Sequence, residues 1–150
     1  MRALSIAGAY PLLIAERNKS IELRTWGEHK YRGIVLLHCS SSKAYDFSYE
    51  QWGVSLEECP KKAIIGAATL SDCIRYDSSE KWRRDIENHC WDISYKEMLE
   101  EYNGKVPWGH VFTNPATFSV PILDVKGTFR YWKPTTLDQR LAFALAETYR

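Results

Sequence analysis

The chain has 150 residues, 45% of them hydrophobic and 26% charged, and its formal net charge is +1. These values are typical of one soluble globular domain, and they exclude a bulk electrostatic attraction to nucleic acid or membrane. Binding of a polyanion would therefore need a local basic patch. Basic residues cluster around the second predicted strand and again at Lys126, Arg130 and Lys133.

The first forty residues predict a strand, a short helix and two further strands. Residues 3–6 form an apolar strand candidate, and Pro11 suits the first turn of a helix over residues 12–15. Asn18 fits a left-handed stop for that helix. Residues 20–26 alternate like a strand, and residues 33–40 contain the apolar, β-branched run that is typical of a buried strand.

The middle of the chain predicts one helix, one long strand and a charged helical stretch. A polar loop over residues 40–43 precedes an aromatic segment, residues 45–54, that has the pattern of a short helix. Residues 63–73 predict a central strand in which Gly66 allows a bend or bulge. In the charged stretch, residues 77–103, Ser94 and Glu97 have the spacing of a capping box.

The last third predicts two strands and a final helix. A short strand is expected over residues 110–112, and a longer one over residues 121–132 with a break at Lys126-Gly127. Thr136 and Gln139 repeat the capping-box spacing, and three leucines then share one helix face: Leu137, Leu141 and Leu145. We expect this helix, residues 135–150, to pack on a single domain formed by residues 1–134, although such a stripe can also dock a protein partner.

Five or six short strands with inserted helices predict an α+β fold. The single strands are separated by long connections, and no repeat or low-complexity linker divides them. This organisation favours a small closed or half-closed mixed β-barrel over a parallel sheet.

Cysteine usage and the N-terminus predict a cytoplasmic protein. The four cysteines are widely spaced without a Cys-x-x-Cys pair, which is typical of reduced thiols and poor for zinc. We therefore expect neither a metal site nor a cofactor. The apolar N-terminus is followed at once by charged residues without a convincing cleavage site, and no apolar run could span a bilayer, so we expect no membrane partner.

The most informative segment lies where the first helix is expected to end and the second strand to begin. Within eight residues it contains Lys19, Glu22, Arg24 and Trp26. Because such charges are rarely buried unless they are paired, their density predicts a binding site. A solvated strand face with a surface ion pair between Glu22 and Arg24 would give the same pattern.

Three blocks of the sequence, in order, resemble the ASCH domain, a family of the PUA-like β-barrel superfamily. The match spans roughly residues 3–134 and leaves the final helix outside. In two departures, Arg17 stands where the family usually has glycine, and Tyr10-Pro11 stands near the usual Pro-Trp. The blocks are Lys19-x-x-Glu22-x-Arg24-Thr25-Trp26 with Tyr31-Arg32-Gly33 and His38-Cys39-Ser40; Ile65-Gly66-Ala67-Ala68-Thr69-Leu70-Ser71-Asp72-Cys73; and His110-Val111-Phe112, Asn114-Pro115, Val120-Pro121-Ile122, Lys126-Gly127 and Trp132.

The resemblance implies a PUA-like barrel that binds RNA or a nucleotide. The charged segment would then line a cleft in which Lys19, Arg24 and Arg32 meet phosphate and Glu22 accepts hydrogen bonds from a base edge. Trp26 and Trp132 could stack on a base. Among the remaining candidates, His38, Ser40 and Lys43 could contact phosphate or ribose, and His110 could face the same cleft.

Each candidate also has a structural interpretation. The arginines could form an ion pair with Glu22, and Trp26 and Trp132 could belong to the barrel core. His38 and His110 could be buried, hydrogen-bonded rings.

The resemblance leaves an enzyme open as the alternative. Some small bacterial members deacylate N4-acetylcytidine, and another has been described as a ribonuclease. In the amidohydrolases a threonine three residues after the motif lysine is the nucleophile, whereas Glu22 occupies that position here. Lys19 and Glu22 would then act on a water molecule, with Arg24 stabilising charge and Glu87 or Asp92 as candidates for a third group. A pairing of His38 with His110 would instead permit ribonuclease-like acid–base chemistry.

Overall fold

Six strands form one mixed sheet in the part of the chain that the structure, a computed structural model, describes, residues 1–133. The strands are β1 (Arg2–Ile6), β2 (Ile21–Arg24), β3 (Gly33–Cys39), β4 (Ala63–Arg75), β5 (Trp108–Ile122) and β6 (Tyr131–Trp132). The helices are α1 (Tyr10–Ala15), α2 (Phe47–Trp52), α3 (Ser79–Arg84), α4 (Ile86–His89) and α5 (Tyr95–Glu101). The prediction of a final helix concerns residues outside this range.

The sheet curls into a half-barrel. Its strand order is β2-β5-β4-β3-β1-β6, and each neighbouring pair is antiparallel except β1 with β3. Arg24 of β2 nevertheless donates a 3.0 Å hydrogen bond to the carbonyl oxygen of Ser5 in β1. His110 of β5 is likewise 2.8 Å from the Tyr131 hydroxyl in β6. The two ends of the sheet therefore approach each other, which confirms the predicted α+β half-closed barrel.

Both faces of the central strands are buried. Val35 and Leu37 of β3 pack with α1, whereas the intervening Leu36 packs with Trp132 on the other face. This arrangement follows from the alternation of side chains along a strand. It explains why β3 reads as a continuous apolar run instead of an alternating one.

Helices α3 to α5 form an insert with a core of its own. Trp82 and Met98 pack on Tyr76 at the end of β4, and Leu23 of β2 lies against the same cluster. The Ser94 hydroxyl accepts from the Glu97 backbone N–H, and the Glu97 carboxylate accepts from the Ser94 backbone N–H. This reciprocal pair confirms the predicted capping box at the start of α5.

The largest difference from the sequence expectation is β5. Strand β5 contains the predicted strand over residues 110–112 and continues to Ile122, fifteen residues in all, so the expected interruption after residue 112 was wrong. Of the strand predicted over residues 121–132, only residues 121–122 belong to β5, and residues 131–132 form β6. Strand β2 pairs only with the Trp108–Val111 part of β5, so Pro115 and Pro121 fall where that edge of β5 has no strand partner in the described chain. The strand is irregular here, because Asn114 is left-handed and the register between β4 and β5 shifts, as it does at a β-bulge.

A second difference concerns the end of α1. The left-handed residue is Arg17, with φ of 70°, and not Asn18 as predicted. Arg17 is the position at which the resembling family usually has glycine, the residue best suited to this conformation. Among residues 1–133, no helix is long and apolar enough to cross a membrane.

Candidate functional site

A cleft of about 680 Å³ lies between the start of β2, the segment that contains α2, and the insert. Three charged side chains, Lys19, Glu22 and Arg24, line its base. Its other walls are rich in aromatic side chains, which are Tyr10, Trp26, Tyr45, Phe47, Trp52, Trp91 and Tyr102. The volume is in the range of sites that bind small molecules.

Glu22 joins the two cations. Its Oε2 accepts a 3.0 Å hydrogen bond from Arg24 Nη2, and its Oε1 lies 3.8 Å from Lys19 Nζ. Lys19 Nζ also donates a 2.7 Å hydrogen bond to the carbonyl oxygen of His89. The segment is therefore not a solvated strand face, because Lys19 and Glu22 are only 5% and 8% exposed.

The end of α1 and the pleat of β2 bring these three groups together. After α1, the left-handed Arg17 turns the chain so that the Lys19 backbone N–H bonds to Leu13 O, 3.1 Å away. Lys19 therefore lies in the connection just before β2, with its side chain buried. Two residues apart on that strand, Glu22 and Arg24 share a face, as their spacing predicts.

Burial dominates the electrostatics of the charged group. It lowers the pKa of Lys19, and the adjacent Glu22 carboxylate opposes that shift. Arg24 Nε is buried and has no hydrogen-bond partner within residues 1–133. The Arg24 guanidinium as a whole is partly exposed, so the unsatisfied, shielded Nε–H is a cost that a purely structural ion pair would not need to bear.

Trp26 forms part of the aromatic wall of the cleft, and its ring packs against residues of β5 and β6. Its ring makes edge contacts with His110 and Tyr131, at centroid distances of 4.8 Å and 5.8 Å. The guanidinium of Arg130 lies 4.7 Å from the Trp26 centroid. This contact brings one member of the second basic cluster beside the cleft, where an exposed cation and a flat ring can act together.

The other predicted site residues do not line the cleft. Arg32 is exposed, and its Nη1 donates to the carbonyl oxygens of Glu28 and Tyr31. Ser40 and Lys43 lie on the loop before α2, whereas Tyr45 of this loop and Phe47, the first residue of α2, line the cleft instead. Trp132 is buried and donates to the Ser5 hydroxyl.

The two candidate histidines are separate, internally bonded rings. His38 Nδ1 is 2.9 Å from the Ser5 hydroxyl, and its Nε2 is 2.6 Å from Val125 O. His110 Nε2 is 2.8 Å from Trp26 O, and its other nitrogen bonds to Tyr131. Burial lowers the pKa of His110 to about 4, so the ring is neutral near pH 7. The geometry therefore gives no support to acid–base work by a His38–His110 pair.

The insert contributes a wall that the sequence analysis missed. His89, Cys90 and Trp91 line the cleft at the end of α4, and Glu101 and Tyr102 line it at the end of α5. Cys90 adopts a left-handed conformation with φ of 64°. The run of polar and aromatic residues at the end of a short charged helix was the only sequence signal for this wall. No group of three or more metal-ligating side chains is assembled within residues 1–133.

Comparisons with known proteins agree with the half-barrel. A sequence profile of the ASCH domain matches residues 4–115. No curated protein matches the sequence. The crystal structure of ASCH from Zymomonas mobilis is similar with a TM-score of 0.54 at 14% identity, covering 77% of this chain and 68% of that one.

Two variants of the Zymomonas mobilis protein extend this likeness. One carries a serine-to-alanine substitution and the other a tyrosine-to-phenylalanine substitution, and both give a TM-score of 0.63 at 13% identity. Each match covers 96% of this chain, with 94% and 96% of the respective variant chains. At this identity the likeness shows the fold alone.

Proposed function

Since the chain belongs to the ASCH domain family, we propose that its charged cleft binds a nucleotide or single-stranded RNA. Members of this family are generally thought to bind RNA. The observation that carries the proposal is the group formed by the buried Lys19 and Glu22 with the partly exposed Arg24, at the base of an aromatic-walled cleft.

The combination of charge and aromatic surface suits a nucleobase. A base presents a flat π-face and an edge of hydrogen-bond donors and acceptors. Trp26 or Tyr10 can stack on that face, while the Glu22 carboxylate accepts from donors on the edge. The partly exposed guanidinium of Arg24 lines the cleft beside this carboxylate.

Phosphate would be bound nearer the opening of the cleft. Lys19 already bonds to His89 O and lies beside Glu22, so its charge is largely compensated. Arg130 is exposed and lies against Trp26, so its guanidinium can reach a backbone phosphate next to a stacked base. Binding should therefore weaken as salt concentration rises.

A titration of fluorescent RNA oligonucleotides at low and high salt tests the proposal. Arg24→Ala and Trp26→Ala should each weaken binding by tenfold or more, whereas Lys96→Ala, an exposed lysine outside the cleft, serves as the matched control. Thermal unfolding of each variant checks that the fold is retained. Failure of the wild-type protein to bind RNA or mononucleotides at low salt would refute the proposal, as would equal binding by all variants.

One observation favours a hydrolase as the second candidate. Burial lowers the pKa of Lys19, and a carboxylate lies 3.8 Å away, so the pair could exchange a proton with a bound water molecule. Glu22 occupies the position of the family's nucleophilic threonine, so hydrolysis would proceed through water without an acyl-enzyme.

Product analysis on the same samples separates the two candidates. Hydrolysis would appear as shortened RNA or as cytidine released from an N4-acylated nucleoside. Lys19→Ala and Glu22→Gln should then each abolish turnover while the fold is retained. Intact substrate after prolonged incubation with the wild-type protein would exclude the hydrolase and leave a binding module.

A further inference from the structure

Two buried cysteines meet behind the α2 wall of the cleft. Cys39 ends β3, Cys59 precedes β4, and their sulfur atoms are 3.3 Å apart. Both side chains are free thiols, 1% and 0% exposed. The sulfur of Cys59 also lies 3.7 Å from Gly8 O, so a hydrogen bond from Cys59 to that carbonyl leaves Cys39 to donate to Cys59.

The segment between the two cysteines carries part of the cleft. Residues 40–58 include α2, and Tyr45, Phe47, Gln51 and Trp52 from this segment line the cleft. The segment is anchored at its base, because the Lys62 backbone N–H donates to Cys39 O at 2.7 Å. A covalent bond between the two sulfurs would close this segment into a loop.

We propose that Cys39 and Cys59 form a site of thiol oxidation, at which a peroxide converts them to an intramolecular disulfide that tethers the α2 wall. A disulfide requires sulfurs about 2.05 Å apart. From their present 3.3 Å separation, the atoms need to approach by little more than 1 Å. Cys59 lies in a turn whose backbone N–H bonds to Ser55 O, so a small shift of this turn can bring the atoms together.

The reaction balances with a peroxide as the only co-reactant. The Cys59 sulfur attacks one oxygen of hydrogen peroxide, the O–O bond breaks, and a sulfenic acid and one water molecule result. The Cys39 sulfur then attacks the sulfenic sulfur, the S–O bond breaks, and a second water molecule leaves with the Cys39 proton. In total, two thiols lose two electrons and two protons, and one peroxide becomes two water molecules.

The surroundings make Cys59 the better first nucleophile. The hydrogen bond from Cys39 and the backbone N–H of Leu12 lower the pKa of Cys59, although burial opposes that shift. The side chain of Cys39 has the opposite bias, because its pKa is raised by the Cys59 contact and by burial. Peroxide is small enough to reach the pair when the α2 segment, whose Tyr49 and Val54 pack against these cysteines, opens locally.

Peptide mapping tests the proposal directly. Trypsin cleavage after lysine and arginine places the four cysteines on separate peptides, with Cys39 on residues 33–43 and Cys59 on residues 44–61. The folded protein is treated with hydrogen peroxide, alkylated under denaturing conditions and digested without reduction. We expect the 33–43 and 44–61 peptides to be joined, with a mass two hydrogens below their sum, and to separate after reduction.

Cys39→Ser and Cys59→Ser are the matched variants, and each should abolish the joined peptide. The half-buried Cys73 and Cys90 are internal controls, since peroxide should oxidise them without joining them to either peptide. Alkylation of both Cys39 and Cys59 after peroxide treatment of the wild-type protein would overturn the proposal. This result does not depend on whether a variant folds.

The effect on the cleft is measured with the RNA titration, and this arm rests on the proposed function. Oxidised and reduced wild-type protein should differ at least threefold in affinity, and the difference should vanish after reduction. Equal affinities with a confirmed disulfide would overturn the coupling to the cleft. If neither form binds RNA, the proposed function fails while peptide mapping still decides the disulfide.

Discussion

At the residue scale, Glu22 determines the charge balance of the cleft. Its two carboxylate oxygens face Lys19 and Arg24, and the residue is 8% exposed. Two cations so close together in a partly dehydrated site would repel each other without the carboxylate. Glu22 therefore has a structural task as well as its proposed contact with a ligand.

We predict that Glu22→Gln lowers the free energy of unfolding by about 2 kcal/mol, because it leaves Lys19 and Arg24 without their counter-charge. The shape of the side chain is nearly unchanged, so packing should be retained. Urea denaturation measures the change, and Glu16→Gln, at an exposed position, is the control. A loss below about 0.5 kcal/mol would show that solvent or another group screens the two cations.

Arg17 provides a second residue-scale prediction. It holds φ at 70°, a region that a residue with a Cβ atom enters at a cost of roughly 1–2 kcal/mol. Glycine at this position would remove the strain, but its greater flexibility in the unfolded chain offsets part of the gain in stability. Arg17→Gly should therefore raise the free energy of unfolding by about 0.5–1 kcal/mol.

The neighbouring Glu16 gives the control, because its φ is −92°. Glu16→Gly should not stabilise the protein, since glycine relieves no strain there. Equal effects of the two substitutions on the urea midpoint would contradict this interpretation of Arg17.

At the element scale, the bulge at Gly66 shapes the central strand. β4 lies between β3 and β5, and its register with β5 shifts between Ile64 and Gly66. A Cβ atom at Gly66 would lie 2.4 Å from the carbonyl oxygen of Ala116 and 3.1 Å from the Ala15 side chain. The close approach of two backbones, and not a left-handed conformation, is what requires glycine here.

Gly66→Ala should accordingly cost more than about 2 kcal/mol of unfolding free energy, since a backbone oxygen cannot move aside without breaking the β4–β5 pairing. Gly53→Ala is a useful comparison. Gly53 is left-handed with φ of 64° but has open space around it, so its substitution should cost only about 1 kcal/mol. A smaller loss at Gly66 than at Gly53 would refute the steric argument.

Local sequence patterns predicted most of the helices and strands. The features that they did not predict depend on long-range contacts. The Ser94–Glu97 capping box and the run of β3 are encoded within a few residues, and both were predicted correctly. The continuity of β5 depends on its pairing with β4 as far as Ile122, a long-range contact that no local pattern contains.

The same distinction holds in the site. The shared face of Glu22 and Arg24 follows from their spacing on one strand. The hydrogen bond from Lys19 to His89 O joins residues that are far apart in the sequence. Because such contacts leave no local pattern, the wall that the insert contributes to the cleft was not predicted. The outward position of Arg32 also depends on tertiary structure, because a strand pattern does not specify how the sheet curls.

At the scale of the whole molecule, the histidines make the fold sensitive to acid. His38, His89 and His110 are buried, whereas His29 is exposed. Burial lowers the pKa of His89 and of His110 to about 4, against about 6.5 in an unfolded chain. Between these values the unfolded chain binds more protons than the folded one, so stability falls as pH falls.

We therefore predict that the free energy of unfolding is nearly constant just above pH 6.5 and falls from pH 6.5 to 4, by about 3 kcal/mol for each of these two histidines. Urea denaturation at a series of pH values measures the slope. His29→Ala should leave the slope unchanged because that ring is exposed. Constant stability down to pH 4.5 would show that these rings take up protons as readily in the folded protein as in the unfolded chain.

The position of β1 has a consequence for how the protein is made. This first strand pairs with β3 on one side and with β6 on the other, where Ala3 lies opposite Trp132. During translation β1 leaves the ribosome before the other five described strands, yet its second partner, β6, is synthesised last among these six. The half-barrel cannot close until Tyr131 and Trp132 have emerged, so final folding should follow the release of this region from the exit tunnel and proceed on the slower timescale of non-local pairing.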